Sequence, residues 1–195
     1  RDVEAGSPHY LSGQVYVVRA MLRLGRGDAG GAASDAENAL ELSRRAGDPQ
    51  IVHQTNALAA HVFWEVGQND RALPLADEFL AAIQAGHSGD FSIGFSLVLT
   101  WTLAAAGRGE EAAAALEEWA GVPWAVAGTA YARGDYVAAA EQCAAMGAVA
   151  QEAYSRLAAA RAGDLAQLEP ALEFYRSVGA DWYLRQGESL IPASA

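Results

Sequence analysis

The residues whose types and spacing could support chemistry are few, and His61 and Glu65 are the most suggestive pair among them. Because they stand four positions apart, both side chains lie on one face of any helix that contains them. A histidine and a carboxylate can share a proton or bind a metal ion. A zinc site, however, needs about four converging ligands, and the sequence has no C-x-x-C or H-E-x-x-H pattern. We therefore expect no metal and no cofactor, and we expect His61 and Glu65 to form an ion pair on an exposed or groove-lining face.

Nucleophiles are also scarce. Cys143 is the only cysteine, so the chain cannot form an internal disulfide. A catalytic thiol needs an activating histidine and an electropositive setting, whereas Cys143 falls on the inward face of a predicted helix, which favours a buried filler. No serine stands in a recognisable nucleophile motif. We expect no catalytic residue and no enzymatic activity.

Glycine-rich segments are a second kind of candidate, because Gly25 to Gly30 matches the G-x-G-x-x-G pattern of dinucleotide-binding loops. Such a loop must follow a strand and open a helix within a βαβ unit, and no strand is predicted before Gly25. The Arg-Gly-Asp tripeptide of cell-adhesion ligands occurs at 26–28 and 133–135, at equivalent positions of an internal repeat. We interpret all of these segments as turns between helices.

Helices are the elements that must position these residues. Alanine occupies 45 of the 195 positions, lysine is absent, and Ala, Leu, Glu, Arg and Gln fill long windows with helical apolar spacing. Strand-like alternation is nearly absent. Glycine-containing turns separate the windows, and most are followed by a residue suited to starting a helix. The predicted helices are 8–24, 29–46, 50–66, 70–85, 91–106, 110–120, 123–132, 136–146, 149–162 and 165–178, with a short one at 181–190.

The helices form a repeat of hairpins. When the turn glycines are aligned, a small residue follows five positions later in every unit but the last. The glycines are Gly27, Gly67, Gly107, Gly134 and Gly163, and the aligned residues are Ala32, Ala72, Ala112, Ala139 and Leu168. Small side chains at these points allow two helices to cross closely. We predict that Ala112 and Ala139 are buried at such crossings.

This pattern resembles the tetratricopeptide repeat, and its best single match is the segment from Tyr131 to Glu141. The resemblance implies an all-α fold, a right-handed solenoid of about five helix hairpins with a C-terminal capping helix. It implies one domain over 1–195, with units at 8–46, 50–85, 91–120, 123–146 and 149–178 and a cap at 181–190. The segment 23–49 and the ending from Ala171 are similar to the repeat region that ends large bacterial regulators, namely LuxR-type activators with an ATPase domain and ATPase-linked nucleotide cyclases.

The resemblance also implies a concave surface formed by the first helix of each hairpin. The candidate binding residues on it are Gln14, Met21, His61, Trp64, Glu65, Leu97, Trp101, Trp124 and Tyr131, with Val17, Gln54 and Gly128 beside them. Tryptophan often anchors interfaces, so a protein segment or an apolar ligand could occupy this groove. The alternative is that a short solenoid, or repeats preceding Arg1, fill the groove with protein side chains.

Charge and hydropathy narrow the classes of partner. The net charge of −11 repels polyanions, so we expect no direct contact with nucleic acid. The most apolar stretch, 91–106, is shorter than the roughly 20 residues that a membrane helix needs, so we expect no membrane contact. Because the chain starts at Arg1 without an initiator Met, we expect it to be part of a longer cytoplasmic regulator.

The sequence thus predicts a non-catalytic interaction module. It would bind a protein segment, or an upstream domain of the same polypeptide, in the concave groove. The alternative is a domain that senses a small apolar effector, which predicts a closed aromatic cavity of roughly a few hundred Å³ instead of an open groove. An enzyme with an unrecognised site would require converging ionisable groups with shifted pKa values, and the sequence offers no such cluster.

Overall fold

The chain folds into helices joined by short turns throughout the residues that its computed structural model describes, which are residue 9, residues 11–86 and residues 90–191. No strand occurs in these ranges, so the predicted all-α class is confirmed for them. The helices are α1 (Ser12–Gly25), α2 (Ala29–Ala46), α3 (Pro49–Glu65), α4 (Asn69–Gln84), α5 (Asp90–Ile93), α6 (Ser96–Ala105), α7 (Gly109–Leu116), α8 (Pro123–Ala132), α9 (Tyr136–Ala145), α10 (Val149–Arg161), α11 (Leu168–Val178) and α12 (Asp181–Glu188).

Helices that follow one another in the chain pack against one another. α1 packs against α2, α3 against α4, α6 against α7, α8 against α9, and α10 against α11. The first helices of these pairs also lie side by side, because α3 contacts both α1 and α6, and α6 contacts α8. This arrangement brings the faces of α1, α3, α6 and α8 into one layer, on which the candidate residues lie.

Several turns between helices consist of a glycine followed by an aspartate. Gly27 ends the first hairpin's turn with a φ of +84°, a conformation that residues with a Cβ rarely adopt. Asp28 then caps α2 by accepting a hydrogen bond from the backbone N–H of Gly31. Asp135 caps α9 in the same way through Ala138. Both Arg-Gly-Asp tripeptides, and the G-x-G-x-x-G match, are therefore turns between helices, as predicted.

Small residues occupy the crossing points. Ala112 is 1% exposed and Ala139 is fully buried, which confirms the burial predicted for both. Gly128 marks the closest approach of α6 and α8, because a Cβ added there would lie 3.5 Å from the backbone nitrogen of Leu97 and 3.0 Å from Cδ1 of Leu116. Bulky residues at these positions would separate the helices, which explains why alanine and glycine recur there.

Several predicted helix boundaries need correction. The helix predicted over 110–120 ends at Leu116 and the one predicted over 165–178 begins at Leu168, because a 3-10 turn occupies 117–119 and another occupies 165–167. The start predicted at residue 8 lies outside the described residues, and α1 begins at Ser12. The helix predicted over 91–106 is divided into α5 and α6 by a turn, in which the N–H of Phe95 donates to the carbonyl oxygen of Ser92 at 3.0 Å. Gly94 lies at this break, and glycine has a low helix propensity that the apolar pattern of the segment concealed.

The last helix returns to the first. α12 contacts α10, α11 and α1, so the segment predicted as a cap joins the two ends of the described chain. The contact with α1 is close. A Cβ added at Gly25 would lie 3.9 Å from Cβ of Ala180, and one added at Gly27 would lie 2.8 Å from Nη2 of Arg185. Met21, Trp101 and Glu65 of the functional candidates lie beside this junction.

Candidate functional site

Rings from α3, α6, α8, α10, α11 and α12 form a buried cluster beneath the junction. We call it the aromatic cluster, and its members are His61, Trp101, Tyr131, Tyr154, Tyr175 and Tyr183, each at most 8% exposed. Tyr154 is its centre, because the centroid of its ring lies 4.1 Å from that of Trp101, 5.2 Å from that of His61 and 5.6 Å from that of Tyr183. Edge-on and tilted ring contacts at these distances are favourable. The C-terminal helices thus fill the centre of the layer with their own side chains.

Glu65 is the charged residue beside the aromatic cluster. Its Oε1 accepts a hydrogen bond from the OH of Tyr154 at 2.8 Å, and its Oε2 accepts hydrogen bonds from Nε1 of Trp182 at 2.9 Å and Nε2 of Gln186 at 3.1 Å. Burial by itself would raise the pKa of this carboxyl, but the neighbouring His61 and the three hydrogen bonds outweigh burial, and the pKa is lowered. The ionised carboxylate therefore joins α3 to α10 and α12.

His61 does not form the ion pair predicted with Glu65. Its Nε2 lies 3.0 Å from the OH of Tyr183, and no ion pair joins it to Glu65 in the part of the chain that the structure describes. Burial lowers the pKa of the imidazole, and the charge of Arg161 acts in the same direction while Glu65 opposes it. The prediction failed because an imidazole removed from water favours its neutral form, and a neutral hydroxyl lies within reach.

A cavity of about 270 Å³ lies between α1 and the C-terminal helices. We call it the apolar cavity. Four rings of the aromatic cluster line it, together with mainly apolar residues. The lining residues are Met21, Leu22, Gly25, Arg26, Leu58, Val98, Trp101, Ala150, Gln151, Tyr154, Phe174, Tyr175, Val178, Gly179, Ala180 and Tyr183. Leu22 and Val178, which are 58% and 55% exposed, mark its opening to solvent together with the exposed Arg26.

A second cavity of about 300 Å³, the polar cavity, shares Tyr154 with the apolar cavity as a lining residue. Its lining residues are Trp64, Glu65, Ala104, Ala105, Tyr131, Tyr136, Tyr154, Ala158, Arg161 and Ala162. Its two charged residues already have protein partners, since Glu65 accepts three hydrogen bonds and Arg161 donates to Oε1 of Gln186. Tyr154 lines both cavities and so divides the predicted concave surface into two compartments.

The candidate residues predicted from the sequence are divided between these compartments. Met21 and Trp101 line the apolar cavity, and Trp64, Glu65 and Tyr131 line the polar cavity. Trp101 and Tyr131 remain neighbours, with ring centroids 6.4 Å apart. The structure therefore brings Trp101 and Tyr131 close together, although the two rings line different cavities.

The remaining candidates lie around the edges. Gln14 donates from Nε2 to Oε1 of Gln54 at 2.8 Å, joining α1 to α3. Leu97 is fully buried below Gly128. Trp124 is partly buried against the core and lines neither of the two cavities. These residues stabilise the layer and do not line either cavity.

Sequence reasoning missed the residues that α10, α11 and α12 contribute, namely Tyr154, Tyr175, Trp182 and Tyr183. One signal could have found Tyr154. It stands 14 positions before Leu168, as Leu58 stands before Ala72 and Val98 before Ala112 in the aligned repeats. Leu58, Val98 and Tyr154 all line the apolar cavity. The sequence alone does not indicate that α12 packs against this row, because the contact joins distant parts of the chain.

The site offers little support for a metal or for covalent chemistry. No group of three or more potential metal ligands occurs within the described ranges. Cys143 is buried in α9, and burial raises the pKa of its thiol to about 11, so the reactive thiolate is scarce at neutral pH. None of the helices in these ranges has the length and hydrophobicity required to cross a bilayer.

Comparisons with known proteins identify no similar protein whose function could guide the interpretation. No family model, curated protein or solved structure matches the chain. The features that bear on function are therefore the apolar cavity, the hydrogen bonds of Glu65 and the closure of α12 against α1.

Proposed function

We propose that this chain is a non-catalytic regulatory domain that binds a small apolar ligand in the apolar cavity. The observation that carries the proposal is the cavity itself, about 270 Å³ between α1 and the C-terminal helices with walls of Trp101, Tyr154 and Tyr175. Ligand sites in proteins are typically concave and mostly apolar, with a few polar groups at fixed positions. The apolar cavity has this character.

The position of the cavity supports a regulatory role. Its walls come from α1 at one end of the described chain and from α10, α11 and α12 at the other. A ligand that fills it contacts both ends at once and stabilises the closed arrangement over any arrangement in which α12 has left α1. Occupancy of one small site would thereby change the relative stability of two states of the whole domain.

A neutral fluorescent probe tests the proposal directly. N-phenyl-1-naphthylamine fluoresces strongly only in apolar surroundings, and we expect saturable binding to the wild-type protein. Gly25→Leu extends a side chain from the lining of the cavity, and its Cβ has room there, because the nearest atom to the new Cβ is 3.9 Å away. We expect this change to weaken probe binding by roughly tenfold, since it removes the space that the ligand needs.

Gly30→Leu is the matched control. It makes the same change in a helix, at a position where a new Cβ has no neighbour within 4 Å. Equal binding by both variants would show that the probe lies elsewhere. Absence of saturable binding to the wild type, or equal affinity of Gly25→Leu and wild type, would overturn the proposed function.

A second candidate function is binding of a protein segment on the outer face of α1. Val15, Val18 and Leu22 are 60%, 54% and 58% exposed and share one face of this helix by their spacing. A helix from an upstream domain of the same polypeptide, or from a partner protein, could cover this stripe. Calorimetry with any polypeptide that the gene encodes before Arg1 tests this candidate, and Val18→Asp should abolish the binding that it predicts.

The same proposal includes the larger regulator in which this domain would act. The sequence resemblance to tetratricopeptide regions of bacterial LuxR-type ATPase regulators and ATPase-linked cyclases supports a right-handed solenoid within a cytoplasmic regulator. The side-by-side packing of α1, α3, α6 and α8 is compatible with such an architecture. The proposed ligand would then act on an effector domain elsewhere in the polypeptide.

A further inference from the structure

Arg26, which lines the apolar cavity, and Arg185, which lies beside the turn after Arg26, differ from the other arginines. Among the described residues, Arg26 and Arg185 take part in no ion pair or side-chain hydrogen bond, whereas Arg161 donates to Gln186. The other described arginines all have acidic partners, and they are Arg19, Arg23, Arg44, Arg45, Arg71, Arg108, Arg133, Arg156 and Arg176. Unpaired guanidinium groups are unexpected in a chain of net charge −11.

The two free guanidinium groups belong to the same corner of the fold. Arg26 is exposed and lines the apolar cavity. Arg185, one turn into α12, packs against the turn that follows Arg26, because a Cβ added at Gly27 would lie 2.8 Å from its Nη2. Asp28 in that turn is already engaged, with one oxygen accepting from Gly31 and the other 3.8 Å from Arg23.

The cavity has no acidic residue to balance this charge. None of the residues that line it is an aspartate or a glutamate, and apart from Arg26 and the amide of Gln151 its walls are apolar or aromatic. A cationic ligand would therefore meet repulsion at the opening and find no counter-charge inside. An anionic group at the opening would meet guanidinium donors that no protein acceptor occupies.

We propose that the ligand is a small amphipathic carboxylate, whose apolar body fills the apolar cavity and whose carboxylate is bound at the opening by Arg26 and Arg185. This inference rests on the proposed function, because it assigns the chemistry of the ligand to the same cavity. The aromatic walls bind the body by burial of apolar surface, and the two arginines select the charge.

A matched pair of probes separates charge from shape. 1-Naphthylacetate and 1-naphthylacetamide share one ring system and differ in a carboxylate against a neutral amide, and displacement of N-phenyl-1-naphthylamine reports the binding of each. We expect the carboxylate to bind the wild type about tenfold more tightly, because each exposed ion pair contributes a factor of a few. The preference should decrease at high salt, which screens exposed charges.

Arginine variants assign the preference to the cavity opening. Arg26→Gln and Arg185→Gln should each reduce the preference for the carboxylate, and the double variant should bind both probes equally. Affinity for the amide should stay unchanged, because the neutral probe uses only the walls. Arg45→Gln, at another exposed arginine, is the control and should keep the full preference.

The outcomes distinguish the two proposals. If neither naphthyl compound nor the neutral reporter binds, the proposed function itself is wrong. If all three bind in the cavity but the wild type does not prefer the carboxylate, the proposed function stands and the assignment of a carboxylate ligand is overturned. A preference that survives in the double variant would also overturn the role of Arg26 and Arg185.

Discussion

Glu65 of α3 and Trp182 of α12 are joined by a 2.9 Å hydrogen bond from the indole Nε1 to Oε2, although 117 positions separate them in the chain. The same carboxylate accepts from Tyr154 and Gln186. One ionised side chain therefore connects the middle of the layer to the helix that closes it. Hydrogen bonds to charged groups contribute more than neutral ones, so this connection is a principal constraint on α12.

Replacement of Glu65 should loosen the closing helix. We expect Glu65→Ala to lower the free energy of unfolding by about 2 to 3 kcal/mol, because it leaves the Tyr154, Trp182 and Gln186 donors without their acceptor. Hydrogen exchange of the backbone amides in α12 should increase more than that in α2. Glu141→Ala, at an exposed glutamate of α9, is the control, and an equal loss in the two variants would contradict the role of Glu65.

Stability should fall as the pH falls below neutrality, and His61 should contribute to that fall. Its pKa is lowered by burial in the folded chain from the ordinary value of 6.5, so below that pH the unfolded chain binds more protons than the folded one. The free energy of unfolding then decreases with falling pH, by at most about 1.4 kcal/mol per pH unit for this group. The measurement is denaturant unfolding at pH 7, 6 and 5.

A variant isolates this contribution. His61→Gln should give a shallower dependence on pH between 7 and 5, since the residue that takes up a proton only on unfolding has been removed. Asn38→Gln, at an exposed position without a titratable group, should keep the slope of the wild type. An unchanged slope in His61→Gln would show that the imidazole is not the group responsible.

Local features of this fold were predictable, and the reasons are physical. A glycine followed by an aspartate fixes the backbone conformation of a turn and caps the next helix within a few residues, so Gly27 with Asp28 and Gly134 with Asp135 marked their hairpins correctly. The small residues aligned to these turns were buried as expected, because close helix crossing tolerates only small side chains. These signals act over short distances in the chain and can be read from it directly.

The contacts of the C-terminal segment were not predictable in the same way. The sequence identified Trp101 and Tyr131 as facing a common surface, but Tyr154 and Tyr183 come from helices whose position depends on how the hairpins stack. Small differences in stacking angle accumulate along the layer, and periodicity carries no information about them. Only the three-dimensional structure therefore shows that side chains of the C-terminal helices fill the centre of the predicted concave surface.

Overpacking tests the repeat alignment. Ala139 is fully buried in α9, and Ala139→Trp should lower the free energy of unfolding by about 1 to 3 kcal/mol or more, because the crossing has no room for the indole. Ala144→Trp, at an exposed position of the same helix, should have little effect. Similar melting temperatures for the two variants would contradict the assignment of Ala139 to a helix crossing.

The thiol of Cys143 should be unreactive in the folded protein. Burial raises its pKa to about 11, and the side chain is fully buried, so both the thiolate and access to it are lacking. We expect no reaction with an aromatic disulfide reagent at pH 8 over an hour, and stoichiometric reaction in denaturant. Rapid modification without denaturant would show that α9 opens readily or that the thiol is activated.

Trp101 provides the sharpest test of whether the aromatic residues are structural. The ring is 5% exposed, and its centroid lies 4.1 Å from that of Tyr154 and 5.0 Å from that of His61. Trp101→Ala should therefore lower the free energy of unfolding by about 3 to 5 kcal/mol, the cost of removing a buried aromatic side chain. A ring in an open groove would cost far less, because it would leave no internal void.

The control for this change is Trp124→Ala, which removes the same side chain from a partly buried position that lines neither cavity. The loss of unfolding free energy in Trp124→Ala should be clearly smaller than that in Trp101→Ala. Trp101→Phe should retain much of the stability, because its ring refills the centre of the aromatic cluster. The denaturant midpoints of the three variants and the wild type measure these differences in stability. Equal losses at positions 101 and 124 would mean that Trp101 is not held by the C-terminal helices, and the closed arrangement around Tyr154 would have to be abandoned.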